Sequence, residues 1–429
     1  MKILHLTAGT GRWYCGTCVR DDTLVKALRA RGDQADLVPL YLPIVADGTS
    51  CSADQPVLMS GINVYLQQQS SLFRSLPRWM DAPLGSRAVL GLAGRFAGST
   101  RAESLGELTV SMLRGEAGFQ TKEIGRLVDA LVARPRPQVV ILSNSLLAGL
   151  APMIRRTLRV PVFVTIQGEM HFLDGLDTGR EEAWKLLTHH LTTCDGRIAV
   201  SEFAADAMAQ RTGLRRGVFE VAPNGVPVDG MERPEPAGDV PVLGFLARLS
   251  NVKGLDRIAR IFVDLRARGF KVKLAVAGTA MPGEAAALDG FWAIVREAGA
   301  AADVSVHPNL DLAQKRAFLR GLTVFCVPTA KDETSATYNL EAMAAGIPVV
   351  APRRGAVTEG IESVGGGVLV PPDDEHAAAT AIGELLNDPA RRAELSEAGW
   401  NGVRARRTDA HMANLVARAI GRAASKTIL

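Results

Sequence analysis

The sequence predicts an α/β protein made of two doubly wound, Rossmann-like domains. Near its start the chain reads as a strand, a glycine-containing loop, a helix and a second strand, the order typical of a mononucleotide-binding half. The same alternation begins again after residues 227–240, a segment rich in Pro, Gly, Asp and Glu. Aromatic residues make up only 5% of the 429 residues, which favours helices on parallel strands over a β-sandwich.

The first predicted domain covers residues 1–226. It opens with an apolar strand at residues 2–7, a helix at 22–30 closed by Gly32, and a strand at 35–40. Three glycines, Gly9, Gly11 and Gly16, lie in the loop before that helix. Further buried strands are predicted at 138–142, 160–165 and 197–201, and Ser201 is placed to cap the helix that follows.

Residues 45–125 fit this scheme least well and predict an irregular, partly helical insertion. Arginines stand among its apolar residues, namely Arg74, Arg78, Arg87, Arg95, Arg101 and Arg114, together with Trp79. We favour a solvated face with packed Leu and Trp side chains. Contact with anionic lipid headgroups or an anionic acceptor is the alternative.

The second predicted domain covers residues 240–407. Its strands are expected at 242–246, 271–277, 322–327 and 347–351, with a helix at 255–265. Two such domains leave a crevice at the carboxyl ends of their strands, where ligands bind.

Charge and hydropathy limit the kind of partner and the location. A net charge of +4 is too mild to argue for nucleic acid and fits an anionic small ligand or loose contact with an anionic membrane surface. The start of the chain holds no apolar stretch long enough for a secretory signal, and no apolar run reaches the ~18 residues of a membrane span. We therefore expect a cytoplasmic protein, with peripheral contact at the inner membrane face as an option.

Two cations follow the first strand of the second domain. Arg248 stands at the strand end, and Lys253 precedes Gly254, which opens the next helix. Cations at the carboxyl edge of a parallel sheet, beside a helix N-terminus, suit a diphosphate. Taken without this context, two exposed surface cations are the simpler interpretation.

Two glutamates lie eight positions apart in the next informative segment. Glu333 is in a polar loop after a strand, and Glu341 is on a helix that Gly346 ends. Carboxylates accept hydrogen bonds from sugar and ribose hydroxyls, and the helix N-terminus offers free N–H groups to phosphate. Surface glutamates near a helix start are the alternative.

Both segments resemble the retaining GT-B glycosyltransferases of family four. That family has a Gly-Arg-Leu-x-x-x-Lys-Gly type segment and a Glu-x7-Glu motif running into Glu-Ala-Met-Ala-x-Gly-x-Pro-Val-Val. Residues 244–254 and 333–350 are similar to these, and the resemblance extends over about 220–400. It implies the GT-B fold, with nucleotide-sugar binding by the second domain, acceptor binding by the first, and a last helix at about 408–429 packing back on the first.

The resemblance also implies roles for individual residues. Arg248 and Lys253 would hold the donor diphosphate, Glu341 the ribose hydroxyls and Glu333 the transferred sugar. Backbone amides near Thr337 and Tyr338 would help to hold the sugar and phosphate. In the first domain, Gly16 would approach the phosphate and acceptor, and Gln167 stands where relatives often have a donor-contacting His. His171 is an alternative stand-in for that His.

The implied reaction is front-face transfer with retention, without a cofactor or metal, from a UDP- or GDP-sugar. The departing phosphate takes the acceptor's proton while Arg248 and Lys253 stabilise it. The acceptor stays open, a glycan or a lipid-linked molecule being candidates. Residues 334–339 depart from the Gly-Phe-Gly-Leu that many relatives carry there, which leaves the sugar open. It also leaves open a non-catalytic binding homologue, or another GT-B enzyme such as an epimerase or phosphorylase.

Cysteines and acidic runs offer further candidates. Cys15 and Cys18 have the spacing of a redox or metal-binding pair, but without a second pair we favour plain loop cysteines. The stretch from Asp373 to Glu375 reads as a helix cap rather than a metal site. The loop from Gly9 to Tyr14 begins like a dinucleotide motif, but Tyr14 replaces its third glycine, so we reject NAD binding.

Overall fold

The fold is described from a computed structural model covering residues 1–11, 15–46, 48–77, 80, 105–233 and 240–427, with only the main chain at 282 and 424–427. Several residues of the sequence argument lie outside this set: Tyr14, Arg78, Trp79, Arg87, Arg95 and Arg101. The chain forms two compact units. One contains residues 1–223 and 412–429, and the other contains residues 224–411.

The first unit is built on a six-stranded parallel sheet with the strand order β2-β1-β3-β4-β5-β6. The strands are β1 (Lys2–Thr7), β2 (Gln34–Pro39), β3 (Val139–Leu142), β4 (Val162–Ile166), β5 (Gly196–Ala199) and β6 (Glu220–Val221). Alternate side chains enter separate cores: Leu4 and Leu6 pack on one face, and Ile3 packs on the other. A sheet covered on both faces explains why the central strands β3 and β4 are almost entirely apolar.

Helices cover both faces of this sheet. Those described between the strands are Gly16–Ala30, Gly61–Gln69, Ser71–Ser75, Gly106–Leu113, Thr121–Val132, Ala151–Leu158, Glu169–Asp174, Arg180–Thr193 and Glu202–Thr212. The predicted cap at Ser201 is confirmed, because its hydroxyl accepts a hydrogen bond from the Ala204 amide at 3.0 Å. The helix Gly16–Ala30 begins six residues before the predicted start at 22, since the glycine loop itself opens it.

The last helix, Asp409–Thr427, contributes to the core of the first unit. Its residues Met412, Val416 and Ile420 are buried in the cluster that contains Ile3 and Leu24. Their spacing of four places them on one stripe of the helix, which buries apolar surface without burying the polar side.

The second unit is built on another six-stranded parallel sheet, ordered β12-β11-β10-β7-β8-β9. Its strands are β7 (Val242–Leu246), β8 (Lys273–Gly278), β9 (Val304–Pro308), β10 (Val324–Cys326), β11 (Val349–Pro352) and β12 (Gly367–Val370). The prediction of two doubly wound α/β halves is therefore confirmed. Between β7 and β10 the register pairs Val324 with Leu243 and Phe325 with Gly244.

The helices of this unit that contain at least eight residues are Leu255–Ala267, Ala285–Glu297, Leu312–Arg320, Thr337–Ala344, Ala356–Val364, Glu375–Asn387 and Pro389–Arg406. The predicted cap in the acidic run is confirmed, because the Asp374 carboxylate accepts from the Ala377 amide at 2.8 Å. Across the described ranges, no helix has both the length and the apolar content needed to cross a membrane.

Candidate functional site

Each sheet has a point where the order of its strands reverses. In the first sheet this point lies between β1 and β3, and in the second between β7 and β10. The loops after the two central strands diverge there and leave a crevice at the carboxyl edge, the usual place for a ligand in such sheets. Arg248 and Lys253 follow β7, and Glu333 follows β10, so topology brings these predicted residues to one crevice.

Lys253 and Glu333 form an ion pair at this point of the second sheet. The Lys253 Nζ atom lies 2.5 Å from Glu333 Oε1, and the two side chains are 21% and 15% exposed. The hydroxyl of Thr329 donates to the same carboxylate oxygen at 3.0 Å. Lys253 Nζ also lies 5.4 Å from the centroid of the Tyr338 ring, within reach of a cation–π interaction. The lysine is thus held in place while part of it stays open to solvent.

Glu341 is paired with a residue that sequence reasoning missed. Its Oε1 atom lies 2.9 Å from Lys315 Nζ, and both side chains are largely buried, at 14% and 7% exposed. Lys315 is on the helix Leu312–Arg320, which follows β9. Its position among polar residues suggests an ordinary surface lysine, so the local sequence carries no signal for this contact. The ion pair holds the Glu341 carboxylate in a fixed position in this largely buried place.

Arg248 forms its ion pair with Glu284, a second residue missed from the sequence. Arg248 Nε lies 3.1 Å from Glu284 Oε1, and the arginine side chain is 45% exposed. Burial raises the pKa of Glu284, and the charge of Arg248 acts in the opposite direction. The second oxygen of Glu284 is buried and has no hydrogen-bond partner within the described part of the chain. The Arg248 side chain is therefore paired on one side and partly open to solvent on the other.

The helix Thr337–Ala344 begins beside the Lys253–Glu333 pair. Ala336, just before it, adopts a left-handed conformation with φ of 49°. Among the residues described here, the buried Tyr338 hydroxyl and both polar atoms of the Asn339 amide form no hydrogen bond of ordinary geometry. Burial, reinforced by the Glu333 carboxylate, raises the pKa of Tyr338 well above its usual value. Buried polar groups without a partner are uncommon in folded proteins, so this helix start is an unusual part of the second unit.

Close backbone approach shapes the loops around the crevice. Gly254 has φ of +81°, and a Cβ there would lie 2.2 Å from the Pro328 carbonyl oxygen, at the end of the β10 segment. Only glycine fits this conformation at this distance, so the loops after β7 and β10 come together at Gly254. The backbone carbonyl of Glu333 also accepts from the Ala356 amide at 2.8 Å, which fixes the Glu333 loop to the start of the helix Ala356–Val364.

In the first unit, Gln167 follows β4 and is only 6% exposed. Its amide nitrogen donates to the Ser143 carbonyl at 2.6 Å, and its backbone amide donates to Glu169 Oε2 at 2.7 Å. Glu169 also accepts from the backbone amide of Ser145 at 3.0 Å and from its hydroxyl at 2.5 Å. Burial raises the pKa of Glu169, although these donors act against the rise. The alternative residue His171 is exposed on the short helix Glu169–Asp174.

Gly16 is the first residue of its helix and is exposed. No described atom lies within 4 Å of a Cβ built there, so its main chain borders open space. Gly9 is the tight position of this loop: its φ is +76°, and a Cβ would lie 1.7 Å from the Leu42 carbonyl oxygen. Within the described ranges, no three His, Cys, Asp or Glu side chains are grouped as metal ligands.

Comparison with protein families gives two matches. The model described as Glycosyl transferases group 1 matches residues 231–401, and the model described as Glycosyltransferase Family 4 matches residues 108–229. Together they cover about half of the first unit and most of the second.

Curated relatives match at modest identity. D-inositol 3-phosphate glycosyltransferase of Xylanimonas cellulosilytica is 28% identical over 47% of this chain and 51% of its own length. GDP-mannose-dependent alpha-(1-6)-phosphatidylinositol monomannoside mannosyltransferase of Mycolicibacterium smegmatis is 32% identical over 38% and 43%. The chain spans about half the length of these curated relatives.

Solved structures share the fold over the whole chain. Sucrose-phosphate synthase from Thermosynechococcus elongatus superposes with a TM-score of 0.70 at 17% identity, covering 99% of this chain and 100% of that one. Anabaena HepE in complex with UDP gives 0.67 at 16% identity, covering 98% and 100%.

Proposed function

The chain belongs to family four of the GT-B glycosyltransferases, and from this premise we propose that it transfers a sugar from a nucleotide-diphosphate donor with retention of configuration and without a metal. The observation that carries the proposal is the Lys253–Glu333 ion pair beside the start of the helix Thr337–Ala344. It supplies a cation and a carboxylate at a topological switch point, next to the positive end of a helix.

The second unit supports donor binding through complementary charge. Arg248 and Lys253 carry two positive charges, and the free N–H groups of the helix start favour phosphate oxygens. The carboxylates of Glu333 and Glu341 would accept hydrogen bonds from hydroxyls of the sugar and ribose. The ion pair with Lys315 fixes the position of the Glu341 carboxylate, which favours hydrogen bonds to it from well-placed hydroxyls.

The leaving group supports a role for cations rather than a general acid. A nucleoside diphosphate departs as an anion and needs no proton, so stabilisation of growing negative charge is the main requirement. In the front-face path that we propose, a departing phosphate oxygen takes the proton of the acceptor hydroxyl. The new bond then forms on the face that the diphosphate leaves, which retains the configuration.

Residues 334–339 give the donor sugar a different surface from that of relatives with glycines there. Asn339 places an unsatisfied amide in this segment, 3% exposed. We propose that this amide binds a polar group of the donor, because a buried unmet amide costs about 1–3 kcal/mol until it gains a partner.

A binding screen tests the donor assignment. We would measure the unfolding temperature of the full chain with UDP, GDP, UDP-glucose and GDP-mannose, each with and without excess chelator. A donor at 100 times its Kd adds about 2.7 kcal/mol of stability, which gives a clear upward shift. The nucleotides are chosen because one curated relative is named as GDP-mannose-dependent and HepE was solved with UDP and UDP-glucose.

Product analysis tests the reaction itself. Proton NMR of donor hydrolysis should first show the sugar with the donor's anomeric configuration, at the same rate in chelator. Inversion would overturn the retaining assignment, and activity restored only by Mg²⁺ would overturn metal independence. Acceptor trials begin with inositol 3-phosphate, the acceptor named for one relative, and binding of donor without turnover on any acceptor or water would favour the non-catalytic alternative.

A further inference from the structure

The switch point of the first sheet holds two thiols that the proposed transfer does not use. Cys15 stands immediately before the helix Gly16–Ala30, and Cys18 lies in its first turn. We propose that Cys15 and Cys18 form a redox-active dithiol, which a low-molecular-weight disulfide oxidises to an internal disulfide. This site belongs to the first unit and does not depend on donor binding by the second.

The geometry gives the two sulfurs different exposure. Both cysteines are free thiols; Cys15 is half-buried, whereas Cys18 is 1% exposed. Cys15 is the residue just before the helix and Cys18 is its third residue, so the two side chains lie near each other at the same helix start. The two cysteines are separated by two residues at a helix start, the spacing found in dithiols that form and break a disulfide. The outer sulfur can meet a reagent, and the inner one can resolve the adduct.

The hydrogen bonds around the pair assign the charge to one sulfur. The hydrogen bond from the Cys18 thiol, aided by the backbone amides of Cys18 and Thr17 and opposed by burial, lowers the pKa of Cys15 to about 6. The same contact, together with burial, raises the pKa of Cys18 well above its usual value. At neutral pH, Cys15 is then the attacking thiolate and Cys18 the protonated partner.

A buried polar cluster lies beneath the pair, one helical turn beyond Cys18. The Asp21 carboxylate lies 3.2 Å from His5 Nε2, 3.2 Å from Arg20 Nη1 and 2.9 Å from the Thr7 hydroxyl. Although burial acts to raise it, His5 and Arg20 hold the pKa of Asp21 below its usual value. These contacts offset the negative charge of the Asp21 carboxylate, so its repulsion of a negatively charged Cys15 sulfur is weak.

The other cysteines have surroundings that suppress reactivity. Burial raises the pKa of Cys326 to about 12 and that of Cys194 to about 11. Burial and the neighbouring Asp22 raise the pKa of Cys51, which is also half-buried, to about 12. Cys51 is therefore a natural control with similar exposure and the opposite electrostatic environment.

The proposed exchange proceeds in two balanced steps. The Cys15 thiolate attacks one sulfur of the disulfide RSSR, the S–S bond breaks, and RS⁻ leaves with the bonding electrons. Cys18 then attacks Cys15 in the mixed disulfide, expels the second RS⁻ and loses its proton to a departing thiolate. The two cysteines are oxidised by two electrons in total, and RSSR is reduced to two thiols.

The test titrates the full chain with oxidised and reduced glutathione, blocks remaining thiols with an alkylating agent and maps the products by mass spectrometry. We expect a disulfide between Cys15 and Cys18, with Cys51, Cys194 and Cys326 still reduced. In Cys18→Ser, one glutathione should stay attached to Cys15, since nothing resolves the adduct. Iodoacetamide should alkylate Cys15 at neutral pH at least about tenfold faster than Cys51.

Cys51→Ser is the matched control and should oxidise like the wild type. The proposal is wrong if Cys18→Ser collects glutathione equally on Cys15 and Cys51, or if no disulfide forms between 15 and 18 at any glutathione ratio. Stoichiometric zinc in the reduced protein, lost in Cys15→Ser, would also overturn it in favour of a metal site. Each of these outcomes leaves nucleotide binding by the second unit unaffected, so a failure here is distinct from a failure of the proposed function.

Discussion

The two switch points of this protein are built from the same topology but carry different chemistry. In the second unit, Lys253 and Arg248 are partly exposed and paired with carboxylates, so charged groups border the crevice. In the first, the loop after β3 is held by Gln167 and Glu169, which follow the neighbouring strand β4 and are buried. Parallel α/β sheets thus offer one location for a ligand, while exposure and pairing of side chains decide which ligand suits it.

The largest effect is expected when one of the two cations of the second unit is removed. Arg248→Ala and Lys253→Ala should each slow turnover of the donor by ~100-fold or more, because each removes a charge that stabilises the departing diphosphate. Initial rates of donor consumption measure this. Lys271→Ala removes an exposed lysine just before β8 and serves as the matched control.

Equal rates in wild type, Arg248→Ala and Lys253→Ala would show that neither cation acts on the leaving group. The difference between the two units would then concern only the binding of ligands and not the departure of the diphosphate.

An intermediate effect concerns the buried pair of Glu341 and Lys315. Glu341→Gln should weaken nucleotide binding by about tenfold, since a hydrogen bond to a charged group contributes about 1.5–3 kcal/mol. It should also lower stability, because a largely buried ion pair is lost. Calorimetry of nucleotide binding measures the first effect, and thermal unfolding measures the second.

Glu362→Gln is a suitable control, because the pair of Glu362 with Arg353 is largely exposed and contributes little. Unchanged nucleotide affinity in Glu341→Gln would remove Glu341 from the ribose position.

The smallest effect on the donor is expected in the first unit. Glu169→Ala leaves three donors without an acceptor, from Ser145 and Gln167, and should destabilise the protein by about 2 kcal/mol. Its affinity for nucleotide should stay within about twofold of wild type, as measured by calorimetry. A large loss of affinity would contradict the separation of roles between the two switch points.

The contribution of Glu169 to stability should also depend on pH. Because the pKa of Glu169 is raised on folding, the folded chain binds its proton more readily than the unfolded chain. Its contribution to the free energy of unfolding therefore falls as pH rises above the ordinary glutamate range. Glu169→Gln does not titrate, so its unfolding temperature should gain relative to wild type between pH 5 and pH 7, as thermal melts would show.

Local sequence patterns predicted many of the elements that the structure contains. Alternating apolar segments predicted both sheets, and Ser201 and Asp374 were recognised as caps from their place before helices. The spacing of Glu333 and Glu341, with Arg248 and Lys253, singled out the second unit as the charged one. The interpretation of Cys15 and Cys18 as plain loop residues placed both outside the helix, whereas Cys18 lies in the first turn of Gly16–Ala30.

Sequence alone determined the order of strands and helices, the family and the residue types at the crevice of the second sheet, because these depend on short-range periodicity and motif spacing. Tertiary structure decided which charges meet: Lys253 with Glu333, Glu341 with Lys315, and Arg248 with Glu284. These partners are 80, 26 and 36 positions apart, and the packing of separate elements of the second unit brings them together, which no local pattern encodes. The physical reason is that the sequence specifies the type and charge of each side chain, whereas its burial and its partner depend on how the folded chain packs.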